Sequence, residues 1–435
     1  MLRVDTKNTH GSSSLNEHCC FNRTTTKCCL FPQLEHIWSR LSPRNAPGHQ
    51  DNAYIVRICQ HETLRGSVSG HVQLEALTHH WSFCLCSFSA DTWADLEMHY
   101  ATDSWDDMGS NVYGCIKQLF LLKLKNRQLK VVLSIGGAFW SSPFASVASS
   151  QESRELFADS SVTLMKDWGF DGIDIDWEFP QSKAEAADYV LLLQAVRRRL
   201  DAYAAEHAPS YHFQLSIASS AGSEKYEMLD LESVSNVVDF FYLMGYDYPG
   251  SWSTVTGHQA NLYPSTSDPK STPFSTGSTV ADYIAAGVPG HKIILGMPLY
   301  GRSFDNTNGF GHPFSGVGGG SWEAGAWDYK ALPLPGAEEV YDGSVGAVYS
   351  WDPVARQLIS HDSPSSVRDK VAFIKAKGLG GAMFWEASAD RTGNASLIET
   401  SYDCLAQDGG IGSRENLVSY ADSRYNNLAG GMVTG

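Results

Sequence analysis

The stretch GFDGIDIDWEFP, residues 169–180, places Asp171, Asp174, Asp176 and Glu178 among Ile, Trp, Phe and Gly. A run this apolar and compact reads as a buried strand. Side chains alternate along a strand, so Asp174, Asp176 and Glu178 share one face and Ile173, Ile175 and Trp177 the other. Successive acids are then about 6.6 Å apart, from a rise of roughly 3.3 Å per residue. Asp171 is off that face by parity, and a structural role at the start of the strand is expected for it. Like charges and burial both raise carboxyl pKa values, so such a column is expected to hold a proton near neutrality. A protonated Glu178 at the strand end is a candidate general acid. Two plainer readings compete. Helix capping fits poorly with the Ile and Trp alternation, and a hard-metal site lacks clustered His or a further acidic run.

Outward from this strand, the chain alternates β-like and helical runs from about residue 110. NVYGCIKQLFLLKLKN (111–126) has Val112, Ile116, Leu119 and Phe120 on one helical face. KVVLSIGG (130–137) is an apolar strand stopped by two glycines, and a helix is expected in ESRELFADSSVTLMKDWG. AEAADYVLLLQAVRRRL (184–200) carries the stripe Tyr189, Leu192, Leu193, Val196 and Leu200. Further strands are expected in YHFQLSIASS, VVDFFYLMGYDY, HKIILGMPLYG and GLGGAMFWEAS. Serial β/α units with apolar strands imply a parallel sheet, and their number favours an α/β fold of the eightfold (β/α)8 TIM-barrel type over an open sheet. In such a barrel the acids point inward and Glu178 lies at the C-terminal mouth.

The segment between LYG (299–301) and GLGG (378–381) is far longer than a loop needs, and it is rich in Gly, Trp and Tyr. It reads as a small α+β insertion subdomain at 303–363, between the seventh and eighth strands, walling the barrel mouth. The remaining boundaries are an atypical N-terminal segment at 1–90, catalytic barrel at 91–302, and the end of the barrel with a C-terminal tail at 364–435. AYIVRI (53–58) and HHWSFCLCSF (79–88) are the candidates for the first two strands, although no first strand is recognisable by pattern. A barrel lacking a strand would expose two edges.

The 435 residues carry 48 acidic and 32 basic side chains, a net charge of −16, which argues against nucleic acid and anionic membrane as partners. No apolar run is long enough to span a bilayer. The opening MLRVDTKNTHGSSSLNEHCC has no apolar core, so no secretory leader is read in it and localisation stays open. Seven of the nine cysteines precede residue 90, and Cys19-Cys20 and Cys28-Cys29 have no His partners at zinc-finger spacing. The sequons at Asn22 and Asn394 matter only on a secretory route.

DGIDIDWE resembles the signature of glycoside hydrolase family 18, the chitinases, and in particular the fungal-type enzymes. LSIGG (133–137), MGYDY (244–248), GMPLYGRSF (296–304), WEAGAWDYKALP (322–333), GGAMFWEASAD (380–390) and the tail ENLVSYADSRYNNLAGGM (415–432) agree in order. The resemblance covers roughly residues 91–433. It implies hydrolysis of β-1,4-linked N-acetylglucosamine polymers with retention, assisted by the substrate's acetamido group. It implies no cofactor and no metal, a chitin or chito-oligosaccharide substrate, a monomer, and a commonly secreted group of enzymes.

By resemblance Glu178 is the acid, Asp176 holds the acetamido N–H with Asp174 beneath it, and Tyr246 donates to the acetamido oxygen. Asp247 contacts the distorted sugar, Met244 packs under it, and Trp385 is the aromatic floor. Gly137, Phe179, Gly245, Tyr300 and Arg302 match further cleft positions, and Trp252, Glu323 and Trp327 the rim. Two departures concern the substrate. Ala138, Phe139 and Trp140 stand where the family often has Trp then Thr, and Phe179 replaces a common Tyr. Alternatives are a chitin-binding lectin on the same fold and an enzyme cutting the core of N-glycans.

Overall fold

The computed structural model describes residues 55–56, 93–101, 103–407 and 414–432. HHWSFCLCSF, the Asn22 sequon and the N-terminal cysteines lie outside the described residues. The main sheet is formed by β1 (Ile55–Val56), β2 (Val132–Gly136), β3 (Gly172–Asp176), β4 (Gln214–Ser220), β5 (Phe240–Met244) and β6 (Ile293–Pro298). Its last member in the chain is Gly381–Trp385. The strand order is β1, Gly381–Trp385, β6, β5, β4, β3, β2, and every pairing is parallel. This is the order of a (β/α)8 barrel read around seven of its strands, with β1 beside the final strand and β2 at the other edge among the described residues. AYIVRI thus contributes a two-residue strand, Ile55–Val56, in register with Met383 and Phe384.

The helices form where the apolar stripes lie. Helix Lys183–His207 starts at Ser182, whose side chain accepts the Glu185 N–H, and it buries Tyr189, Leu192, Leu193, Val196 and Leu200. Ile173, Ile175 and Trp177 meet it in one continuous core between strands and helices. The Trp177 ring stacks on Phe144 at 5.6 Å and meets Tyr189 edge-on at 5.2 Å.

A second sheet is built from β7 (Tyr300–Phe304), β8 (Ala326–Asp328), β9 (Glu338–Asp342), β10 (Ala347–Asp352) and β11 (Gln357–His361). It is antiparallel, in the order β8, β7, β11, β10, β9. It docks on the loop that leaves β5: Gln259 Nε2 donates to the Tyr300 and Ser360 carbonyls, and the Leu262 N–H to Val345. The inserted segment therefore stands over the C-terminal ends of β5 and β6, on the side where barrel enzymes keep their chemistry.

At the opposite end, Asp171 is buried just before β3. One of its oxygens accepts the Val131 N–H at 2.7 Å and pairs with Lys123 at 2.9 Å. The other accepts the Tyr211 hydroxyl at 2.8 Å and the Leu417 N–H at 3.0 Å. The C-terminal tail is held beside it by Asn416, whose side-chain amide donates to the carbonyls of Lys123, Asn126 and Leu129. Lys123 is fully buried, and burial lowers its pKa despite the opposing pull of Asp171. Asp171→Ala leaves that ammonium without its counter-charge, and a broken buried pair costs about 3–5 kcal/mol. We expect a large drop in melting temperature; a melt within a degree or two of wild type would refute this role.

Candidate active site

On the inner face of β3, Asp174 and Asp176 are each 2% exposed, and Glu178 above them is half-buried at the mouth. Asp174 stands in register between Ser134 of β2 and Ser216 of β4. Both serine hydroxyls donate to it, Ser134 to Oδ2 at 2.7 Å and Ser216 to Oδ1 at 2.9 Å. The carboxylate is therefore clamped from both sides at one level of the barrel. Tyr189, behind the strand, has its phenol pKa pushed well up by burial first and then by the charges of Asp174 and Asp176.

The glycines of LSIGG have a steric reason. Gly136 adopts φ +116°, and a Cβ there would lie 2.2 Å from the Asp176 carbonyl oxygen. Gly137 follows at φ +102°, its N–H donating to that same carbonyl at 2.8 Å. A Cβ on Gly137 would sit 3.5 Å from Asp176 Oδ2. The chain thus passes close over Asp176 without a side chain in the way.

Opposite the acids, Met244, Tyr246, Tyr300 and Trp385 pack into one apolar cluster with Tyr242, Ile294 and Met383, apart from the helix–strand core. The Tyr246 and Tyr300 rings meet edge-on at 6.2 Å. Gly245 is required by its neighbour, since a Cβ there would come within 2.7 Å of the Gly296 carbonyl. Asp247, at φ +60°, is gripped by Arg302: Nε donates to Oδ1 at 2.7 Å and Nη2 to Oδ2 at 2.9 Å. Arg302 Nη1 also reaches Glu323 at 2.8 Å, and the guanidinium lies over the rings of Tyr300 and Trp252. Burial opposes the Arg302 charge, but its hydrogen bonds and charge contact with Asp247, helped by Tyr300 and Glu323, outweigh that and raise its pKa. Burial and then the charge of Asp247 push the Tyr300 phenol well up, so it stays a donor.

Arg302 belongs to β7 and Asp247 to the loop after β5, so this pair ties the inserted sheet to the barrel mouth. Among the described residues no group of three His, Cys, Asp or Glu side chains is arranged to hold a metal ion.

A sequence profile of glycosyl hydrolases family 18 matches residues 60–390. The chain belongs to glycosyl hydrolase family 18. It is 56% identical over 341 residues to Endochitinase 1 of Metarhizium robertsii, covering 78% of this chain and 80% of that protein. Chitinase 1 of Aphanocladium album is 53% identical over 345 residues, 79% of this chain and 81% of its own length. Among solved structures, the catalytic domain of psychrophilic chitinase B from Arthrobacter TAD20 superposes with a TM-score of 0.67 at 31% identity, covering 74% of this chain and 81% of that one.

Within this family 18 chain, the residues singled out by sequence fall into distinct groups. Asp174, Asp176 and Glu178 form the column on β3. Met244, Tyr246, Tyr300 and Trp385 form the apolar cluster, and Asp247, Trp252, Arg302 and Glu323 the charged and aromatic clamp. Phe139 and Trp140, 70% and 56% exposed, project beside Ala138 from the turn after Gly137. Trp252, 58% exposed, is the corresponding projection after β5. Phe179 borders a small cavity with Trp177, Tyr189 and Tyr226, on the helix side of β3. Trp327 lies half-buried in β8. Sequence reasoning assigned no role to Ser134, Ser216 or Ser141. Ser134 and Ser216 were within reach, since each lies inside an expected strand and pairs in register with Asp174.

The Gly136 contact generates a prediction. Gly136→Ala needs a rare backbone conformation and a displaced Asp176 carbonyl, at a cost of about 1–3 kcal/mol. Hydrolysis should fall further than the melting temperature alone explains, because the displaced group belongs to the acid column. A variant with wild-type melt and turnover would show that β2 and β3 can separate here without consequence.

Proposed function

We propose that this protein is a chitinase, hydrolysing β-1,4-linked N-acetylglucosamine chains with retention through the substrate's own acetamido group. The observation that carries the reading is the acid column: two buried aspartates in line, with half-buried Glu178 above them, facing an apolar floor. The curated relatives named above are called chitinases and support the same reading.

In this scheme Glu178 protonates the glycosidic oxygen as its bond to the anomeric carbon breaks. The acetamido oxygen forms the new bond to that carbon, giving an oxazolinium ion. Asp176 accepts the acetamido N–H and balances the positive charge that develops there, while Tyr246 donates to the acetamido oxygen and orients it. Asp174 remains below, clamped by Ser134 and Ser216, a fixed neighbour from which Asp176 turns toward Glu178. Glu178, now a carboxylate, takes a proton from the water that opens the ring. Trp385 supplies a large apolar face for the C–H side of the sugar, with Met244 packed beside it. Asp247, held by Arg302, contacts the distorted sugar. A protein that only binds chitin has no use for an acid at the mouth, and Glu178 stands there.

Glu178→Gln keeps shape and removes the proton, so turnover of a fluorogenic chitotriose glycoside should fall by about 10²–10⁴. Oligosaccharide binding, read by calorimetry, should persist. Near-normal turnover would remove Glu178 from the mechanism. A thiazoline analogue of the oxazolinium ion should inhibit competitively; absence of inhibition together with a sugar trapped on a carboxylate would instead indicate an enzymic nucleophile.

A further inference from the structure

Ser141 follows the turn that carries Phe139 and Trp140, and its side chain is buried. Three backbone groups converge on its hydroxyl. The Glu178 N–H donates to Oγ at 2.7 Å. The hydroxyl proton is shared between the carbonyls of Gly137, at 2.9 Å, and Asp176, at 3.1 Å.

The position of this hydroxyl is what gives it weight. Pairing between β2 and β3 ends at Gly136 opposite Asp176, and pairing between β3 and β4 ends at Ile175 opposite Ile217. Glu178 lies beyond both ladders, where neighbouring strands no longer dictate the path of the backbone. One hydroxyl, able to accept and donate at once, joins its amide to the last paired carbonyl of β3 and to the glycine turn. Alanine at 141 would remove the acceptor for the amide and the donor for both carbonyls, inside a buried pocket.

We propose that Ser141 is a positioning residue for the Glu178 carboxyl. By fixing the Glu178 amide against the Asp176 carbonyl, it sets the direction in which the acid leaves the strand, and so its alignment with the glycosidic oxygen. This rests on the reading of Glu178 as general acid, and it concerns a residue that acts through Glu178 without touching the substrate.

The test compares two substrates on the full chain. Chitotetraose has a sugar leaving group that departs only with a proton. A 2,4-dinitrophenyl chitobioside releases a phenolate that departs without one. kcat/KM reports events up to the first bond cleavage, and its ratio for the two substrates does not depend on how much of a preparation is folded. For Ser141→Ala we expect kcat/KM on chitotetraose to fall roughly tenfold to a hundredfold, as for a lost buried hydrogen bond, and on the aryl glycoside less than about threefold. Ser141→Cys keeps the volume with a weaker donor and acceptor, and should lie between; it also serves if the alanine variant does not fold. Equal losses on both substrates would reduce Ser141 to a structural residue, and no loss on either would remove it altogether. Glu178→Gln, run in parallel, separates the two ideas. If it also fails to favour the activated substrate, the general-acid reading falls and takes this proposal with it. If it favours that substrate and Ser141→Ala does not, the proposal alone is overturned.

Discussion

The register of β3 is the constraint on which the site depends. Side chains alternate with a period of two, so a slip of one residue would turn Asp174, Asp176 and Glu178 under the helices and bring Ile173, Ile175 and Trp177 into the barrel. That outcome would bury carboxylates in an apolar layer and lose the Trp177 contacts with Phe144 and Tyr189. The strand is pinned against it at its base and at its middle. Asp171 binds the base through Val131, Lys123, Tyr211 and Leu417, and Asp174 is clamped between Ser134 and Ser216. The off-face acid thus holds the strand that presents the in-face acids.

The mouth is assembled from elements far apart in the chain. Acids come from β3, the apolar floor from β5, β6, β7 and the final strand, and the clamp on Asp247 from the inserted sheet. Arg302 joins these parts because its planar fork satisfies both oxygens of Asp247 while a third nitrogen reaches Glu323. A lysine could offer one point charge to that pair but not the same geometry. The inserted sheet is therefore part of the site's framework as well as its wall.

Much of this was legible in the sequence, and for identifiable reasons. The helix at Lys183–His207 buries the five residues its stripe named, because a period of 3.6 leaves a strong local pattern. The alternation in GIDID carried the inward column in the same way. Asp171 was set apart by parity, and its partners bear that out. Ser141 was not legible, and nothing local in the sequence paired Ser134 or Ser216 with Asp174. Ser141 and Glu178 are 37 residues apart, and Ser216 and Asp174 are 42 apart. Single hydroxyls that bond across such distances leave no periodic trace, and serine is common in loops for other reasons. The first barrel strand was obscure in the sequence, and among the described residues it is represented by Ile55 and Val56, too few for a period to register.

The tail beneath the barrel has a consequence for how the protein is made. Leu417, which completes the shell of Asp171, lies 246 residues after it in the chain. At a synthesis rate of about 5–20 residues per second, the ribosome needs roughly 12–50 seconds to travel that far. Throughout that interval β3 lacks the segment that closes its base, and Asp171 is without the Leu417 N–H. The base of β3 is closed only once Asn416 and Leu417 have been made.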